Sequence, residues 1–150
     1  MPTVELAPRR RALVGLLALL LGGCAAPKLT PQLAAEMGYE VLGPQMQYDD
    51  KLVMAWVPAT PGAVPASAAA SPFTAELARL IAAGARQPIH VTVSGDDSAF
   101  TAQVIKAACA QLPAELSKLR LVFIGNPAHE AEVRQAVLSR RATFYFEPAP

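Results

Sequence analysis

The sequence predicts an α/β fold, a small and mostly parallel sheet of about four strands in the order β-α-β-α-β-α-β. Three observations predict it. Strand-length apolar runs recur over residues 52–57, 89–93, 119–124 and 143–147. The stretches between the last three repeat their apolar residues at spacings of three and four, and Gly, Pro, Ser or Asp marks each changeover. Strands alternating with helices argue a parallel sheet with crossover connections.

Taken in order, residues 25–31 carry Pro27, Lys28 and Pro31 and read as a tether. Thr30-Pro31 starts a short helix over residues 32–37, since proline suits the first helical turn, and Gly38 is expected to end it. Residues 39–42 are expected to form a brief strand, stopped by Gly43-Pro44. Residues 51–57 (Lys-Leu-Val-Met-Ala-Trp-Val) are continuous strand formers, and Trp56 and Tyr48 are expected to pack in the core rather than serve as a ligand platform. Residues 59–70 are low in complexity and poor in bulky side chains, so a mobile loop is expected there.

From Ser71 the pattern is regular. Ser71-Pro72 caps a helix with the stripe Phe73, Leu77, Leu80 and Ile81, ended by Gly84. Ile89, Val91 and Val93 alternate with His90, Thr92 and Ser94, which predicts a half-buried, peripheral strand with His90 on its polar face. A second helix follows Gly95-Asp96-Asp97-Ser98, with Phe100, Val104, Ile105, Ala108 and Leu112 on one face and Pro113 as its stop. Cys109 lies at the edge of that face and reads as a small hydrophobe. Residues 119–124 are apolar on both faces, the mark of a central strand. Gly125-Asn126-Pro127 turns into a third helix with Val133, Ala136 and Val137 inward and Arg140 and Arg141 expected in its last turn. Residues 143–147 alternate like an edge strand. Sequential addition of strands would put these helices on one face, with the first helix covering the other; a reversal of strand order is equally allowed. The architecture resembles Rossmann-like and flavodoxin-like sheets, without their motifs.

The start of the chain carries the most specific signal. Arg9-Arg10-Arg11 precede an uncharged run, residues 12–21, and then Leu21-Gly22-Gly23-Cys24. The run is too short to span a bilayer, which needs roughly 20 apolar residues, but has the length of a signal-peptide core. The segment resembles a bacterial lipoprotein signal peptide with its lipobox. The resemblance implies cleavage before Cys24, lipid on that cysteine, and, with Ala25 rather than aspartate next, an outer-membrane anchor facing the periplasm. The expected organisation is a signal peptide over residues 1–23, a lipid-anchored tether with a short helix over 24–50, and an α/β domain over 51–150. The chain has 13 basic and 12 acidic residues; losing Arg9, Arg10, Arg11 and Glu5 leaves 10 and 11, a net of −1. No basic stripe remains to attract nucleic acid, and a lipidated Cys24 leaves Cys109 without a disulfide partner.

Chemistry is sought at the carboxyl ends of the strands, where open parallel sheets bind ligands. Two loops lie there, Gly95-Asp96-Asp97-Ser98 and Gly125-Asn126-Pro127-Ala128-His129-Glu130. Asp96, Asp97, Asn126 and His129 are the candidate ligand-binding residues, for a divalent ion or acid/base work. The competing account is helix capping, with Asp97 or Ser98 on the second helix and Asn126 on the third. No dinucleotide fingerprint, phosphate loop, serine elbow or zinc-ligand spacing occurs, so no catalytic residue, metal or cofactor is expected. The function expected is a membrane-anchored, non-enzymatic protein-binding or scaffold component of an envelope assembly, with its partner another envelope protein. Its placement resembles that of small accessory lipoproteins of secretion or conjugation machines. The alternative is a periplasmic hydrolase or small-ligand domain using Asp96, Asp97 and His129.

Overall fold

A computed structural model describes residues 26–59 and 67–150. The expected signal peptide, Cys24 and most of the 59–70 loop lie outside the described residues. The chain forms α1 (Pro31–Leu42), β1 (Lys51–Val57), α2 (Pro72–Ile81), β2 (Ile89–Gly95), α3 (Ser98–Gln111), β3 (Leu119–Gly125), α4 (Glu130–Leu138) and β4 (Thr143–Pro148). The four strands make one parallel sheet in the order β1-β2-β3-β4. The α/β class is as the sequence predicts, and of the two strand orders left open the chain takes the sequential one.

Each face of the sheet has its own core. Val91 and Val93 of β2 and Leu119, Leu121 and Phe123 of β3 pack under α2, α3 and α4, which contribute Leu77, Ile81, Val104, Ile105, Val133 and Val137. On the other face Val122 and Ile124 pack with Ala34 and Leu42 of α1, flanked by Leu52, Met54 and Trp56. Helix caps are as the sequence spells them. Thr30 Oγ1 accepts the Leu33 N–H and Ser71 Oγ the Phe73 N–H, each ahead of a proline at the first turn.

Four expectations fail, for physical reasons. First, α1 runs through Gly38 to Leu42, so residues 39–42 are helix and not strand. A Cβ at Gly38 would overlap Thr92 Oγ1, Cγ2 and Cβ, so the glycine is a close-approach residue that lets α1 settle on β2. Second, β2 is an interior strand, buried from Ile89 to Ser94, because α1 covers its polar face. Third, Tyr48 is fully exposed, while Trp56 packs beside the α1 core as expected. Fourth, α4 ends at Leu138, and Arg140 and Arg141 lie beyond it. Arg141 adopts φ 58°, the left-handed conformation that closes many helices. At the described end of the alanine-rich stretch, Ala68–Ala70 form a 3₁₀ turn whose Ala68 carbonyl accepts the buried Thr74 hydroxyl at 2.5 Å.

Candidate functional site

The two strand-end loops are brought side by side by the β2–β3 pairing, and each candidate in them already holds a structural bond. Asp97 stands just before α3 and its Oδ1 accepts the Phe100 N–H at 2.8 Å, while its carbonyl accepts the Thr101 hydroxyl at 2.7 Å. Asp96 turns the other way, and its Oδ2 accepts the Ala59 N–H at 2.7 Å, tying the end of β1 to the end of β2. Asn126 Oδ1 accepts the Ala128 N–H at 2.9 Å and caps the 3₁₀ turn Pro127–His129. His129 Nδ1 lies 3.0 Å from Glu132 Oε1, and Lys106 Nζ donates to Glu132 Oε2 at 2.7 Å. Those bonds from Lys106 and His129 hold the Glu132 carboxyl below its ordinary range. His129 is thus engaged by its own helix and does not join the two aspartates.

The space an anion would need is also filled. The Asn126 N–H, the group a phosphate would meet first, donates to Ser98 Oγ at 2.7 Å. A Cβ on Gly95 would strike Thr101 Oγ1 and the Val57 carbonyl, and one on Gly125 would strike Ser98 Oγ and the Phe123 ring. The strand ends are therefore packed with the protein's own hydroxyls and aromatic carbon. Among the described residues no group of three or more His, Cys, Asp or Glu is placed to hold a metal ion. The sequential strand order also lacks the reversal at which doubly wound sheets open a ligand crevice.

A second polar group, centred on the His90 that the sequence places on the polar face of its strand, lies on the α1 face at the amino ends of the strands. His90 is completely buried, with Nε2 3.0 Å from an Arg120 guanidinium nitrogen and 3.8 Å from Asp50 Oδ2. Arg120 also donates to the Gln45 carbonyl at 3.3 Å, and Tyr145 pairs its hydroxyl with the Gln45 side chain. Arginine can only donate, so Nε2 must accept and the imidazole proton is assigned to Nδ1. Nδ1 has no hydrogen-bond partner among the described residues. Burial pushes the His90 pKa below its ordinary value; Asp50 opposes that shift and Arg120 reinforces it. The strict polar–apolar alternation of β2 hid this residue, because it is the pattern of a solvent-facing strand. The one signal that could have found it is Gly38, a small residue on the helix that covers that face.

Cys109, the remaining reactive side chain, is buried and free, and desolvation raises its thiol pKa to about 11 despite the nearby Arg140.

The two sheet edges differ. The Val57 carbonyl accepts the Asp96 N–H, so Val57 turns its backbone toward β2. By strand alternation Leu52, Met54 and Trp56 turn theirs outward. The Ala149 N–H reaches the Gly125 carbonyl, which likewise leaves Phe144, Phe146 and Pro148 outward on β4. Pro148 has no N–H and blunts that edge, while β1 carries three outward donors in succession.

No family model, curated protein or solved structure matches this chain.

Proposed function

We propose that the chain is a lipid-anchored envelope protein that acts by binding other protein rather than by catalysis. Cys24 carries the lipid, the α/β domain stands in the periplasm beneath the outer membrane, and the domain serves as a scaffold or accessory component of an envelope assembly. The lipobox spacing at Leu21-Gly22-Gly23-Cys24 supports the anchor, and two or more acyl chains on one cysteine give stable membrane attachment. The observation that carries the non-enzymatic reading is that Asp96, Asp97, Asn126 and His129 are each occupied by a bond within the fold.

Two measurements test it. The full chain is expected in the membrane fraction with the mass of a lipid adduct, and Cys24→Ser is expected to lose both; a Cys24→Ser chain that keeps them refutes the anchor. Thermal shift is expected to show no stabilisation by magnesium, zinc or nucleotides. The Asp96→Ala/Asp97→Ala variant should only lose stability, by about 1 kcal/mol for the lost α3 cap. A ligand that stabilises the wild type and not that variant would reinstate the hydrolase or ligand-binding alternative.

A further inference from the structure

We infer that β1 is a self-pairing edge, and that two copies of this chain join through antiparallel β1 strands into one eight-stranded sheet. The inference rests on the protein-binding reading above and names its partner. Residues 52–57 hold no charge, and Leu52 to Trp56 are half-buried, so this edge leaves apolar side chains incompletely covered on both faces. A groove on one side is lined by Val53, Ala55, Phe73, Glu76 and Leu80; the one on the other is half polar, with Gln32, Glu36 and Glu40 beside Leu52, Ala35 and Tyr39.

The outward backbone groups are self-complementary. Leu52, Met54 and Trp56 are spaced evenly about Met54, so a twofold axis through Met54 pairs Met54 with itself and Leu52 with Trp56 of the second copy. All three positions then become hydrogen-bonded pairs, each exchanging both N–H and C=O groups. Pro58 ends the row on one side, and on the other the Asp50 N–H is already bonded to the Gln47 carbonyl. No other register satisfies all the outward groups.

Charge fits the same arrangement. Lys51 is the one charged residue of β1, and it lands beside Val57 of the second copy, on the face where Glu76 lines the groove. The symmetry brings two such lysine–glutamate pairs together and sets no like charges directly opposite within the ladder. The axis stands perpendicular to the sheet, so both α1 helices lie on one face of the joined sheet. Leu29, close to the start of the described chain, packs on that face. Two chains anchored in one leaflet need their tethers to leave from a common side, and this pairing provides it.

The experiment is disulfide trapping with the full chain in envelope membranes. In a hydrogen-bonded antiparallel pair the facing Cα atoms are about 5.5 Å apart, inside disulfide range. Met54→Cys should therefore give a reducible dimer on mild oxidation. Leu52→Cys and Trp56→Cys should each give none when alone, since self-pairing there spans roughly 14 Å along the strand, and should crosslink when the two variants are co-expressed. Met54→Pro removes an N–H that points away from β2 and bonds nothing among the described residues, and should abolish association while far-UV circular dichroism stays unchanged. Lys51→Glu should weaken dimerisation by about 2- to 30-fold, the range of two exposed ion pairs, and adding Glu76→Lys should restore it. Met54→Cys chains that stay monomeric, or Leu52→Cys chains that crosslink equally fast alone, overturn the pairing. Met54→Cys adducts to a different protein, with no self-dimer, overturn it too but leave the protein-binding reading standing.

Discussion

Gly38→Ala tests whether α1 is seated on β2 by a close approach. Two opposing effects set the result. In an exposed helix, alanine in place of glycine is worth about 1 kcal/mol in favour of folding. Here the new methyl would overlap three atoms of the Thr92 side chain, including its Cβ, which no rotamer change can move. Thr92 is buried on an interior strand and cannot retreat, so α1 must lift from the sheet. Overpacking of this kind costs about 1–3 kcal/mol, and overlap with a fixed atom places it near the upper end. The expected net loss is about 2 kcal/mol, or roughly 8 °C in Tm at about 4 °C per kcal/mol. Urea and thermal unfolding followed by circular dichroism would measure it. A Thr92→Ala background removes the two tightest overlaps, with Oγ1 and Cγ2, and leaves only the Cβ contact at 2.8 Å, so the same Gly38→Ala change should cost much less there. Equal costs in the two backgrounds, or a stabilised single variant, would refute the close approach.

Two further outcomes follow from buried groups. Burial lowers the His90 pKa in the folded state, so the unfolded chain binds the proton more readily; stability should fall as pH drops below about 6.5 and level off once folded His90 also protonates. His90→Gln should flatten that decline in pH-dependent urea midpoints, and an unchanged decline would assign it elsewhere. Cys109, with its thiol raised to about 11, should resist a maleimide at pH 8 in the native protein and react at the rate of global unfolding in denaturant. Rapid native labelling would contradict its burial.

The sequence made the sheet legible because β3 is apolar on both faces and the caps at Thr30, Ser71, Asp97 and Asn126 are written in residues that cap by their own side chains. It misled at β2. His90, Thr92 and Ser94 alternate with Ile89, Val91 and Val93, and alternation records polarity rather than exposure. Here the polar row is covered by α1 and satisfied in part, with Ser94 Oγ donating to the Ile124 carbonyl at 2.9 Å. Gly38 is ambiguous for the same reason: glycine commonly ends a helix, but here its lack of a side chain is what lets α1 continue over Thr92. The strand-end candidates are legible as positions, and only their bonds within the fold separate capping from ligation. A capping aspartate and a ligating one have the same neighbours in sequence.

The strand order carries a consequence for function. In a doubly wound sheet the reversal of order parts two neighbouring loops and leaves a crevice at the strand ends. Sequential addition leaves those loops adjacent, and here they close on each other through Asn126 N–H to Ser98 and Asp96 to Ala59. Among the described residues, a sheet built this way still leaves two edges open. One is blunted by Pro148, while the other presents Leu52, Met54 and Trp56 without an intervening proline or charge. Water can satisfy those backbone groups, but it cannot cover the apolar side chains on either side of them. A second strand does both at once, which is the physical reason to look for binding at the β1 edge, where Leu52 to Trp56 are only half-buried.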